Sequence, residues 1–183
     1  MEHFVKYHAR DKEGRFIVPL PRKDGITPLG ESRVQAIRRF KSTERSLRAK
    51  GNHQDFMQVM HEYFNLGHAE QVPLKEVDSP ASEVYYLPLH AVHKEDSTTS
   101  KLRIVLDASA STMSGTSLND HLLVGPTVHP SLIDVLLKFR RYKVALTTNV
   151  SRMYRAVRLP DNQKDLHRLY GGKIQSSSSG TTG

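Results

Sequence analysis

Residues 32–67 read SRVQAIRRFKSTERSLRAKGNHQDFMQVMHEYFNLG, and the spacing of their apolar side chains decides what the chain can build. Ser32 followed by Gln35 has the form of a capping box, Ile37, Phe40 and Leu47 return to one helical face, and Gly51 predicts the stop. A second helix is expected from about Asp55 to Leu66, with Phe56, Val59, Met60, Tyr63 and Phe64 as its apolar stripe and Gly67 as a left-handed cap. The short link predicts a helical hairpin. Its first helix is strongly basic: between Ser32 and Lys50, seven cations (Arg33, Arg38, Arg39, Lys41, Arg45, Arg48 and Lys50) face a single acid, Glu44. That segment is expected to carry most of the chain's excess charge.

Upstream, GRFIVPLP at 14–21 reads as a short extended segment, which Pro19 and Pro21 confine to an edge. Downstream, VYYLPL at 84–89 and LRIVLDA at 102–108 are expected to pair as a hairpin across a polar link at 94–100. A Ser/Gly-rich loop follows at 109–117, then a helix opened by Pro130 that carries Leu132, Val135, Leu136 and Phe139. YKVALTTNV at 142–150 reads as a further strand, and the serine- and glycine-rich end from 173 to 183 as a disordered tail. This mixture of helices and short strands predicts an α+β fold.

The 183 residues suit one domain or part of one, and 37% hydrophobic with 25% charged residues suits a folded protein rather than a disordered one. No apolar run approaches the roughly 20 residues needed to cross a bilayer, and no secretory signal is legible, so no membrane partner is expected. The absence of cysteine excludes disulfides and thiolate metal sites and fits a cytoplasmic or nuclear protein. The formal charge of +8 points to a phosphate-bearing partner, because cations that meet a nucleic-acid backbone release its counterions.

Between Pro28 and Tyr170 a run of blocks resembles, in order and spacing, the reverse transcriptase of BEL/Pao-type retrotransposons. The blocks are PLGESRVQAIRRFKSTERSL, EYFNLGHAEQV, YYLPLHAV at 85–92, KLRIVLDASAS at 101–111, SLNDHLLVGPT at 118–127, and KFRRYKVALTTNVSRMYRAVRLPDNQKDLHRLY. The resemblance implies a partial right-hand polymerase: an extension at 1–27, fingers over 28–120, and the start of the palm over 121–172. It implies RNA-directed DNA polymerase chemistry by descent, in which two Mg²⁺ ions about 4 Å apart stabilise the attacking and leaving oxygens. It also implies that Arg103 grips a triphosphate, that Asp107 holds the finger strand and templating base, that Lys101 adds charge beside them, and that Tyr154 senses the sugar. The basic residues Arg33, Arg38, Arg39, Lys41, Arg45 and Arg48 would then face nucleic acid.

One departure bears on activity. Where the family places its first metal-binding aspartate this chain has Asn149, and the later pair of adjacent aspartates is absent from the sequence. An amide offers a neutral oxygen where hard Mg²⁺ wants anionic ones, so the chain is expected to hold no cofactor and to be catalytically inactive. His129 and His167 stand where the family more often has glutamine. Plainer readings sit beside these: the basic helix as a solvated face, Arg103 and Asp107 as a weak cross-strand ion pair, Tyr154 as core, and the histidines as ordinary side chains rather than zinc ligands. Two further functions are compatible with the sequence, a nucleic-acid-binding module without catalysis, and the polymerase part of a longer polyprotein that supplies the remaining palm, thumb and RNase H.

Overall fold

The computed structural model describes residues 2–25, 28–93, 102–127, 129–148 and 153–171. In chain order its main elements are α1 (Glu2–Tyr7), β1 (Ala9–Arg10), β2 (Phe16–Ile17), α2 (Arg33–Ala49), α3 (His53–Asn65), β3 (Leu89–His93), β4 (Leu102–Leu106) and α4 (Leu132–Arg141). Strands β1 with β2 and β3 with β4 pair antiparallel, so the fold is a mixed α+β one. The chain divides into two units. The first combines the described residues up to Arg22 with Leu123–Asp161, and the second combines Lys23–Leu122 with the described residues from Asn162 onward.

The second unit holds the larger core. Phe40 and Leu47 of α2, Phe56 and Met60 of α3, Leu89 of β3 and Leu102 of β4 form one buried cluster, and Tyr170 meets the Phe40 ring edge-on at 5.2 Å between centroids. The helical hairpin expected at 32–67 is therefore present, and it lies against one face of the β3–β4 hairpin. Ser32 does not cap α2 as a capping box would. Its Oγ accepts from the Tyr86 backbone N–H at 2.9 Å, and Glu31 Oε1 takes the Val34 N–H at 3.0 Å instead.

The sheet hairpin starts later than its sequence suggests. Leu89 pairs with Leu106 and His93 with Leu102, while residues 84–88 stay outside the ladder. Pro88 lacks the N–H that an extension of the ladder would use. The backbone of this buried segment turns to residues 165–168: Tyr85 N–H donates to Asp165 O at 2.9 Å, Arg168 N–H to Tyr85 O at 3.1 Å, and Leu87 N–H to Arg168 O at 2.8 Å. The link at 94–100 lies outside the described residues.

The loop at 109–117 is held by hydroxyls rather than by an apolar core. Thr112 N–H and Oγ1 both donate to Thr116 O at 2.9 Å, and Gly115 takes a φ of +83° that closes the turn. Gly30 packs against it so closely that an added Cβ would stand 2.7 Å from Ser114 N and 2.8 Å from Thr112 Oγ1.

In the first unit, Phe16 sits 5.8 Å from Phe4 with the Arg10 guanidinium 3.9 Å over its ring, and β2 continues into backbone hydrogen bonds with Arg158. The β1–β2 pair contains the first part of the extended segment expected at 14–21. Helix α4 begins at Leu132, one residue beyond a Ser131 cap whose Oγ accepts from Asp134 N–H at 3.2 Å. Residues 142–148 form no strand, which corrects the expectation for 142–150 over its described part. Val144 and Leu146 are 72% and 90% exposed, and strand propensity is realised only when a neighbour takes up the backbone groups.

Core and surface side chains should separate cleanly by mutation. Phe56→Ala is expected to cost about 3–5 kcal/mol in urea unfolding, from reduced burial and the cavity left behind. Leu136→Ala, at a site 54% exposed, is expected to stay within about 0.5 kcal/mol of the parent.

Candidate nucleic-acid interface

Helix α2 buries Ala36, Phe40 and Leu47. With about 100° per residue, the opposite side of the same helix must present Arg38, Lys41 and Arg45, and all three are exposed or half-exposed to solvent. The other cations of the helix are neutralised locally. Arg33 pairs with Asp78 at 3.2 Å, Arg39 with Asp107 at 2.5 Å, and Arg48 with Glu44 at 2.8 Å. No carboxylate among the described residues pairs with Arg38, Lys41 or Arg45; Arg45 Nε reaches only the Lys41 carbonyl at 3.3 Å. The i, i+3 and i+7 spacing sets these three charges in a row along one face, an arrangement that repels itself unless an anion lies across it.

The residues expected to meet a nucleotide sit elsewhere. Arg103 is exposed on β4, paired in register with Val92, while its neighbours Leu102 and Ile104 face the helices. Alternation along the strand therefore turns Arg103 away from α2. Asp107 does not join Arg103; it receives Arg39 and caps the Ser109 N–H at 3.1 Å, so the plainer reading of an Arg103–Asp107 pair is replaced by a link between α2 and the end of β4. Tyr154 is 88% exposed in the turn Met153–Ala156 and is not core. Lys101 and Asn149 lie outside the described residues. Among the described residues no group of three or more His, Cys, Asp or Glu is placed to hold a metal ion.

Residues 32–50 carry 7 basic residues against 1 acid, as expected, but the charge is distributed differently between the two units. The stretch of sequence belonging to the second unit, tail included, has 15 Lys and Arg against 14 Asp and Glu, whereas the first unit has 12 against 5. Acids elsewhere in the second unit offset most of the basic helix, and most of the net excess belongs to the first. The sequence signal for this was the density of cations over 138–158, which a reading fixed on the most basic helix passes over.

Two groups report on the electrostatics of the second unit. The hydrogen bond from Arg48 holds the Glu44 carboxyl below its ordinary 4.5, with His53 adding to the effect at 3.5 Å and against the opposing influence of partial burial. Burial would make Arg168 easier to deprotonate, but hydrogen bonds to Tyr86 and Asp165 outweigh it and keep the guanidinium charged.

Comparison with protein-family models, with curated proteins and with solved structures finds no match to this chain.

A carboxyl lowered in the folded state stabilises it above the ordinary value and loses that contribution as pH falls through the lowered one. Glu44 should thus add to stability at neutral pH and stop doing so in acid, below its ordinary 4.5. Carbon-detected NMR titration of Glu44 is expected to give a midpoint under 4.5 that moves up in Arg48→Ala; an unmoved midpoint would show that the Arg48 hydrogen bond is not its cause.

Proposed function

We propose that this chain is a reverse-transcriptase-like segment of BEL/Pao type, fingers and the start of a palm, that holds nucleic acid without polymerising it. The observation that carries the binding half is the row of Arg38, Lys41 and Arg45, cationic, solvent-facing and with no carboxylate partner among the described residues, on the side of α2 opposite the core. A helix face of this kind is suited to a phosphate backbone, where guanidinium and ammonium groups gain by displacing counterions. The descent rests on the collinear blocks between Pro28 and Tyr170. Arg103 would serve an anionic ligand from the outer side of β4, separately from the α2 row.

The inactive half rests on the chemistry of one position. Mg²⁺ needs several hard, mostly anionic oxygens, and Asn149 offers a neutral amide in place of the expected carboxylate. The residues present therefore do not fit the metal that the polymerase reaction requires. Primer extension with Mg²⁺ or Mn²⁺ is expected to stay at background, and template-dependent incorporation would overturn this half alone.

Binding to duplex DNA, followed by anisotropy from low to moderate salt, is expected to weaken steeply as salt rises. Replacing Arg38, Lys41 and Arg45 by alanine should lower the slope of log affinity against log salt by roughly 3, about 0.9 for each phosphate no longer neutralised. Affinity indifferent to salt, or a triple variant with the parent's slope, would remove the binding half.

A further inference from the structure

Five aliphatic or aromatic side chains of α4 (Leu132, Ile133, Leu136, Leu137 and Phe139) are 43–73% exposed, and the segment where the helix ends reads KFRRYK at 138–143. Every residue of that hexad is exposed. Lys138, Arg140 and Arg141 occupy the last helical turn, where cations complement the helix dipole. The dipole accounts for neither Lys143, beyond the helix, nor the rings of Phe139 and Tyr142, which are 43% and 67% exposed in spite of their size. Among the described residues no carboxylate pairs with Lys138, Arg140, Arg141 or Lys143. The hexad also lies in the unit that contains most of the net positive charge, 12 basic residues against 5 acidic.

Alternating cations and uncovered rings suit a strand whose phosphates and bases are both accessible. Phosphates meet the cations, and unpaired bases stack on the aromatic faces at a gain that does not depend on sequence. Duplex DNA offers the phosphates but keeps its bases stacked inside. From this juxtaposition we infer that residues 138–143 form a binding site for single-stranded nucleic acid, distinct from the row on α2. Lys138, Arg140, Arg141 and Lys143 neutralise the backbone, and Phe139 and Tyr142 each take a base. The inference deepens the nucleic-acid reading above and rests on it.

The chain contains no tryptophan, so Tyr142→Trp introduces a single indole fluorophore at the centre of the site. Its emission is expected to fall on addition of a short oligo(dT) and to change little with a blunt duplex of equal phosphate content. Phe139→Ala with Tyr142→Ala should weaken oligo(dT) binding by about tenfold or more. Both positions are exposed, and unchanged melting of the variants would show that loss of binding is not loss of fold. An unquenched indole, or a double-alanine variant that binds oligo(dT) like the parent, overturns the site. So does quenching by vesicles of anionic phospholipid with none by oligo(dT). If the site fails while the triple alanine variant of α2 still lowers salt-dependent binding, the wider reading stands; if the parent binds no nucleic acid, both fall.

Discussion

A single guanidinium organises the second unit. Arg168 is only 4% exposed, and its Nε donates to Asp165 at 2.8 Å while one terminal nitrogen donates to Glu76 O at 2.6 Å. A buried cation is tolerable only if its donors find acceptors, and here they gather from three separate stretches of chain: 76–79, 86 and 165. The gathering fixes the route of residues 84–88, which run beside 165–168 instead of joining the sheet. Tyr86, held in this way, gives its backbone N–H to Ser32 and so sets where α2 begins. The cationic face of α2 inherits its placement from this buried polar knot as much as from Phe40 and Leu47.

Charge on a helix is not the same as charge available to a ligand. Of the six arginines and lysines expected at the interface, Arg33, Arg39 and Arg48 are already committed to Asp78, Asp107 and Glu44. Exposed pairs like these contribute little to stability, yet each removes a cation from the surface field. What remains is a narrower footprint of Arg38, Lys41 and Arg45, displaced from the seam with the sheet.

The helical hairpin was legible because its signal is local: an apolar period of 3.6, a glycine after each helix, and no competing partner. The hairpin of β3 and β4 was legible as an event and misplaced in extent, since the partner of Tyr85 and Leu87 lies some 80 residues away and leaves no trace in a local window. Residues 142–148 show the opposite failure, a strand-like composition with no strand beside it among the described residues. At the candidate interface, residue types and the outward side of α2 followed from periodicity alone. Which cations were spoken for did not, because Asp78 and Asp107 come from remote segments.

The pairing of Arg39 with Asp107 joins the helix that bears the cationic row to the end of β4, and both side chains keep solvent access, at 46% and 29%. Dissolved ions therefore reach both the outer side of α2 and the pair on its flank, where they screen an attraction that, like other exposed pairs, contributes little to stability. The helix keeps its seat through Phe40 and Leu47, so added potassium chloride acts on its outward charges far more than on its position.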